Sequence, residues 1–252
     1  MKWKKAAIIV TDIVIAVYLV LAITAFNKPD EEALLCTEVP ISIEKTTVDG
    51  FLSEKDIVRI LKQNNAYPVG KNMAQVNARQ IEELLQGNEL VEKAEVYKTP
   101  SGHVCISISQ RIPIIRIMDD KGGDYCIDSE GQVMPKTGYT CDLLIATGSV
   151  SKPYAQKSLA PLANTIIKDK FWRNQVVQLN VLGDGSVELV PRVGEHIAYL
   201  GQPTGVEKKL ERLRKFYKYG LSQAGWNRYS RVSVEFDNQI ICKKKTKKHR
   251  TI

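Results

Sequence analysis

The sequence is poor in the residues from which small catalytic and metal sites are built. Its 252 residues include three scattered histidines and no Cys-x-x-Cys, so the ligand spacing of a zinc site is missing. The five cysteines, Cys36, Cys105, Cys126, Cys141 and Cys242, are sparse, irregular and odd in number, which argues against a dense disulfide framework. Cys126 with Cys141 is the one plausible short-loop pair, and Cys105 sits in a strand-like alternation with Ile106 and Ile108, where a buried small hydrophobe fits. Aromatics make up 7% without a cluster, which gives no support to an aromatic sugar-binding cleft. Walker, nucleophile-elbow and zinc-protease strings are absent, and there is no internal repeat. The body also has no charge excess. The net charge is +8, with +2 in the first 26 residues and +6 in residues 243–252, which leaves zero between them. A nucleic-acid-binding domain is therefore not expected, although the pI is about 9.1. With 44% hydrophobic and 25% charged residues the composition is that of a globular chain.

The sequence does contain one long apolar run. Residues 6–26 read AAIIVTDIVIAVYLVLAITAF, with Asp12 the single charge. As a helix the run is about 31 Å long, the thickness of a hydrocarbon core. It exceeds the roughly 7–15 residues of a signal-peptide core, and a cut after Ala25 would leave the bulky Ile23 at the third position upstream. The expectation is a single-pass anchor. Lys2, Lys4 and Lys5 precede it, whereas Lys28 is followed by Asp30, Glu31 and Glu32, so the positive-inside rule leaves residues 1–5 as a cytoplasmic stub and exports the rest. Asp12 either reaches headgroups or water near the cytoplasmic face or meets a polar group of a partner helix.

The exported part shows two patterns. Residues 27–39 read as a polar, acidic spacer. Residues 40–44 form a short alternating strand, and Ser53-Glu54-Lys55-Asp56 is a capping box opening a helix with Ile57, Ile60 and Leu61 on one face. Residues 77–85 form a second helix, and residues 91–98 and 104–110 two strands around a Thr99-Pro100-Ser101-Gly102 turn. The order is β-α-α-β-β. In the second pattern, residues 114–117 continue directly as a strand, 125–135 form a hairpin and 143–145 another strand, and 159–170 form an amphipathic helix. Residues 176–182 and 187–191 flank Gly183-Asp184-Gly185, the strongest hairpin signal present. Residues 196–200 add a strand and 205–219 a helix with Leu210, Leu213 and Phe216 inward. Residues 231–242 read as a long last strand, with Asp237-Asn238-Gln239 suggesting a bend or short turn within it.

Several of these segments carry a family resemblance. The first pattern resembles a polypeptide-transport-associated (POTRA) domain, and the whole chain resembles the bacterial division family FtsQ/DivIB. Ser53 to Ile57 followed by Asn88-Glu89-Leu90-Val91-Glu92-Lys93-Ala94-Glu95-Val96 is similar to the family's helix start and its NP-x-V-x-x-A-x-V strand. Ser109-Gln110-Arg111-Ile112-Pro113-Ile114 is similar to V-x-E-R-x-P-V, with Gln110 where glutamate is common. Tyr125-Cys126-Ile127-Asp128-Ser129-Glu130-Gly131-Gln132-Val133 is similar to the ID-x-x-G-x-V hairpin, and Val193-Gly194 with Leu200-Gly201 is similar to G…LG. Other departures are Asn88-Glu89 for Asn-Pro and a very short stub. The resemblance implies an α+β protein: a transmembrane helix at 6–26, a POTRA domain at 40–112, a mixed β-rich domain with flanking helices at 113–244, and a basic tail at 245–252. It further implies a scaffold in the cytoplasmic membrane at the division septum, linking early and late division proteins. Its β-domain would bind the small single-pass proteins FtsB/DivIC and FtsL, and its POTRA domain would help recruit other division proteins. The alternative is a POTRA-bearing factor for protein translocation or outer-membrane assembly, but a transporter of that class continues into a β-barrel, for which residues 119–242 have too few strands.

Catalysis is not expected. Ser42 to Lys45 and Ser149 to Lys152 match Ser-x-x-Lys, and Lys136-Thr137-Gly138 matches Lys-Thr-Gly. Ser42 lies in a strand rather than opening a helix, Ser149 follows Lys136-Thr137-Gly138 in the wrong order, and no Ser-x-Asn separates them. No catalytic residue, cofactor or metal ligand is assigned. The expected partner-binding residues are Phe236, Asn238, Gln239, Ile240, Ile241, Cys242 and Lys243, because a last strand at a sheet edge has backbone groups to offer. Phe236, Ile240 and Cys242 are expected on one face and Asn238, Gln239 and Ile241 on the other; alternatively, Ile240, Ile241 and Cys242 simply complete the core. The lysine-rich end is read as a solvated tail guarding that strand, or as a contact for anionic lipid or an acidic partner.

Overall fold

The computed structural model describes residues 2–26, 34–44, 52–136 and 143–245. Its first element, α1 (Lys2–Phe26), is one continuous helix. The described side chains of α1 are Trp3 and residues 11–22, about 18 Å of helix in the longer stretch. Among the described residues no helix is long and apolar enough to cross a membrane. Ile13, Val14, Val17, Leu19 and Leu21 are nevertheless all more than half exposed, and Asp12 is exposed among them.

The chain divides into two units after Gln110. In the first, β1 (Ile41–Ile43) pairs parallel with β3 (Val104–Gln110), which pairs antiparallel with β2 (Val91–Lys98), giving the order β1-β3-β2. Helices α2 (Glu54–Gln63) and α3 (Ala78–Gln86) supply the apolar stripes that cover this sheet. The Asp56 N–H donates to Ser53 Oγ while the Ser53 N–H donates to Asp56 Oδ2, so two otherwise orphaned donors are satisfied reciprocally. Asn77 caps α3 by accepting from the Gln80 N–H. Ile57 and Leu61 of α2 and Ile81 and Leu85 of α3 are buried with Val91, Ala94, Val104, Ile106 and Ile108.

The expected spacer departs from this reading over residues 34–39. Cys36 is buried, its N–H donating to Lys71 O and its carbonyl accepting from the Gly70 N–H. The Thr37 N–H donates to Gly102 O, and Glu38 O accepts from the Val104 N–H. The segment thus satisfies its backbone on this unit, which a polar composition did not reveal. Gly102 makes the approach possible: its φ is +83°, and an added Cβ would lie 2.9 Å from Leu35 O.

Gln110 gives a physical reason for its place in the sequence. Buried on β3, it accepts from the Leu52 N–H at 3.1 Å and donates through Nε2 to Leu52 O at 3.4 Å. A neutral amide does both, whereas a carboxylate can only accept. Gln110→Glu should cost this unit about 1–3 kcal/mol at pH 7, because the carboxylate would face a carbonyl with no proton to offer. Part of the loss should return on acidification, when the protonated acid can donate again. Urea melts of the variant at pH 7 and pH 5 that superimpose on the parent would disprove the pairing.

The second unit is an open nine-stranded sheet, ordered β12-β11-β10-β9-β8-β7-β4-β5-β6. Strands β4 (Pro113–Asp119), β5 (Asp124–Asp128) and β6 (Val133–Pro135) form an antiparallel meander. Strand β7 (Leu144–Gly148) lies parallel to β4 and to β8 (Val176–Val181). Its crossover to β8 contains α4 (Lys152–Tyr154), a π-helical turn (Ala155–Leu159), α5 (Ala160–Lys168) and α6 (Lys170–Gln175). Strands β8, β9 (Val187–Pro191) and β10 (Ile197–Gly201) run antiparallel in turn. Then α7 (Val206–Phe216), a second π-helical turn (Tyr217–Leu221) and α8 (Ser222–Ala224) lead to β11 (Tyr229–Ser233), parallel to β10. The inward stripe of α5 to α7, including Leu162, Ile166, Trp172, Leu210 and Leu213, packs on Ile115, Ile117, Leu179, Leu189 and Val232.

The expected long strand over residues 231–242 is a correction. It is two strands, β11 and the antiparallel β12 (Ile241–Lys244), separated by a turn in which Asn238 adopts φ 62°. The polar Asp237-Asn238-Gln239 reverses the chain because asparagine tolerates the left-handed region.

Candidate docking edge

Among the described residues, strand β12 is the last strand of the sheet, with β11 on one side only. The hairpin bonds show which of its groups face outward. The Lys245 N–H donates to Arg228 O at 3.1 Å, and Lys243 O accepts from Ser230 Oγ at 3.3 Å, so residues 243 and 245 face β11. Strand alternation then points the backbone N–H and C=O of Cys242 and Lys244 away from the sheet. These are the groups with which a further strand would pair.

The turn leading into β12 is held from α7. The Arg212 guanidinium donates to the carbonyls of Val234, at 3.1 Å, and Phe236, and to Asp237 Oδ1 at 2.8 Å. Beside it, Lys208, Glu211, Arg212 and Lys215 of α7 and Asn238, Gln239 and Ile240 of the turn line a shallow groove of about 510 Å³. Its floor is mixed in charge: Lys215 pairs with Glu211 at 2.8 Å and holds that carboxyl below its usual range. One turn away, Lys209 Nζ donates to Gln202 O at 2.8 Å, and burial lowers its pKa.

The expected site residues fall into three groups. Ile240 and Cys242 pack against the core, and burial pushes the Cys242 thiol up. Ile241 and Phe236 are exposed, Phe236 in the segment between β11 and β12. Asn238 and Gln239 line the groove, while Lys243 is exposed on β12 directly opposite Arg231. The sequence reading missed Arg212, since nothing in a helical pattern marks a side chain that reaches more than twenty residues along the chain. It also missed the network on the sheet face away from the helices. There Arg231 Nη1 meets Glu188 Oε1 at 2.8 Å, Asn180 Nδ2 donates to Glu188 Oε2 at 2.9 Å, and the Arg231 guanidinium lies 4.2 Å from the Tyr199 ring centroid.

The other candidates do not assemble. Ser42 is on β1, and Ser149 follows β7, where the neighbouring Ser151 caps α4. Lys136 pairs with Asp124, while Lys45, Thr137 and Gly138 lie outside the described residues. Cys126 is buried on β5, and Cys141, its expected partner, also lies outside them. Among the described residues no three His, Cys, Asp or Glu side chains are grouped to hold a metal ion. Lys245, placed in the tail by sequence, pairs with Glu195, and residues 246–252 lie outside the described part.

The described chain is a β-α-α-β-β unit followed by a helix-backed open sheet that ends in β12. Two family models match it: a POTRA-like domain over residues 34–109, and "FtsQ/DivIB, C-terminal related" over residues 112–243. The chain belongs to the FtsQ/DivIB family, a non-enzymatic division family, which makes it a division-associated protein with division proteins as its partners. A search of the curated proteins returns no match.

Proposed function

We propose that the protein is a non-enzymatic scaffold of the division machinery, linking early and late division proteins at the septum through exported domains. Helix α1 anchors it in the cytoplasmic membrane, with residues 1–5 inside and the rest outside. The support is the 21-residue apolar run at 6–26 behind Lys2, Lys4 and Lys5, and the exposure of its described apolar side chains, which need a lipid or protein cover. The units before and after Gln110 are the POTRA and β-domains. The first recruits other division proteins, and the second receives an FtsB/DivIC-like segment, with an FtsL-like protein, at Phe236, Asn238, Gln239, Ile240, Ile241, Cys242 and Lys243.

The observation that carries this reading is the position of β12 at the end of the sheet in a domain of this family. An extended segment laid along it continues the ladder through the backbone, so single side-chain truncations matter little. Ile240→Pro takes away the backbone donor immediately before β12, and truncation after Asn238 removes the strand. Both variants should remain folded by circular dichroism. The proline variant should capture coexpressed FtsB/DivIC-like and FtsL-like proteins about tenfold more weakly, the effect of one or two lost ladder bonds of about 1 kcal/mol each. Truncation should abolish capture. Full-strength capture by both would place the site elsewhere.

A further inference from the structure

Asp12 is the one charge in the apolar run at 6–26, and the exported domains give it no role. It is the seventh of the 21 residues, so along the helix it stands about 9 Å from the start of the run and about 6 Å short of its middle. A carboxylate at that depth is expensive and as a rule faces protein or a water-filled cavity. Lysine and arginine escape by extending a long apolar stem to the headgroups; aspartate, with one methylene, has no such reach. Among the described residues its carboxyl has no ion-pair partner. Asp12, Ala16 and Leu19 fall at i, i+4 and i+7 on one exposed face of α1, whereas Val14, Tyr18 and Leu21 make the opposite face bulky. Ala16, one turn beyond the carboxyl, leaves room for another helix backbone to come close.

A second copy of α1, packed parallel on this face, would bring two carboxyls to one depth, where both cannot be ionised together. A helix with a lysine or arginine at that depth has the opposite problem, and docking neutralises both charges at once. We propose that Asp12 is the docking point for such a helix. It is a second transmembrane segment that lies against Ala16 and carries one basic side chain at the depth of Asp12. The contact selects by charge, which the apolar remainder of α1 cannot do, because lipid tails solvate it as well as another helix does. This rests on the reading of α1 as the membrane anchor, and it gives the anchor a part in assembly beside the exported domains.

Energy transfer between labelled helices tests it. The full-length chain, carrying a donor at its amino terminus, is reconstituted in zwitterionic lipid vesicles at pH 7. The probes are acceptor-labelled single-pass helices of leucine and alanine, one with a single lysine at the depth of Asp12 and one without it. Transfer should half-saturate at a mole fraction of the lysine probe at least tenfold lower than that of the plain probe. In Asp12→Leu the two probes should become equal. In Asp12→Lys the preference should pass to a probe bearing a single aspartate. A parent chain that treats the lysine and plain probes alike overturns the proposal, as does a preference that survives Asp12→Leu. Transfer between two parent chains as strong as that to the lysine probe, and lost in Asp12→Leu, overturns it in favour of a second copy. Carbonate washing separates this from the underlying reading. A chain stripped from the vesicles defeats the anchor itself, whereas a chain that stays inserted but ignores the lysine defeats only the docking.

Discussion

Asp128→Ala should cost the β-rich unit about 3–5 kcal/mol, the loss typical of leaving one partner of a buried ion pair uncompensated. Asp128 is 3% exposed at the end of β5. One oxygen accepts from the backbone N–H groups of Glu130, at 2.9 Å, and Gln132, at 2.7 Å, which closes the β5–β6 hairpin. The other accepts from the Arg111 guanidinium. Alanine thus leaves two turn donors without an acceptor and strips a carboxylate from a largely buried arginine. Arg111→Met should cost less, because the carboxylate keeps both backbone donors. Asp128→Asn should fall between the two, retaining an acceptor for the turn while losing the charge. Urea melts followed by Trp172 and Trp226 fluorescence give the order. A loss below about 1 kcal/mol for Asp128→Ala, or Arg111→Met proving the more damaging, would show that the clamp is held by something else.

Below neutral pH the same unit should lose stability through His196. This side chain is 2% exposed, its Nε2 bonded at 2.8 Å to the Tyr217 hydroxyl, with Tyr217 and Trp226 packed around it. Its Nδ1 faces the Trp226 backbone without a hydrogen bond of good geometry. Burial lowers the His196 pKa and raises that of Tyr217, so both groups are neutral in the folded state near pH 7. The unfolded imidazole titrates near 6.5. The folded chain therefore binds fewer protons than the unfolded one as pH falls through that value. Stability should be full above about pH 6.5 and decline below it, with a slope approaching about 1.4 kcal/mol per pH unit for one proton. The carboxyls of Asp124 and Asp169 are held low by Arg116 and by Arg214 respectively, and their losses begin at more acid pH. His196→Phe combined with Tyr217→Phe removes the titration without orphaning the phenol. The slope between pH 6.5 and 5 should flatten in that double variant, and an unchanged slope would assign it to another group.

Neither of these two contacts was legible as a pair. Arg111 and Asp128 each stood in a segment recognised by resemblance, yet no periodicity states that the two touch across 17 positions. His196 read only as the start of a strand. Its environment is made by the π-helical turn over Tyr217–Leu221 and by Trp226, elements that strand and helix periods do not announce. In the candidate site the residues near the chain end were legible because they follow the last helix and carry strand-forming side chains. Their pairing was not, and a split into β11 and β12 appears in sequence only as a polar triplet. Arg212, which holds that split in place, left no mark at all.

What the sequence determined by itself is local and physical. Ser53 and Asp56 specify a helix start because their spacing matches the geometry of the first turn. Gly183-Asp184-Gly185 specifies a reversal, and alternating apolar residues specify strands with one face inward. Charge location determined that the body carries no net charge and that the positive excess sits at the two ends. Tertiary structure alone decided which strand lies where. Alternation tells a strand which face to bury but not which neighbour to take, since backbone hydrogen bonds are the same for every partner. It took the packing of α5 to α7 on the sheet, and Arg212 reaching the carbonyls of Val234 and Phe236, to place β12 at the margin. Gln110 met Leu52 across 58 positions for the same reason: the fold brought an amide to a backbone whose two groups needed one.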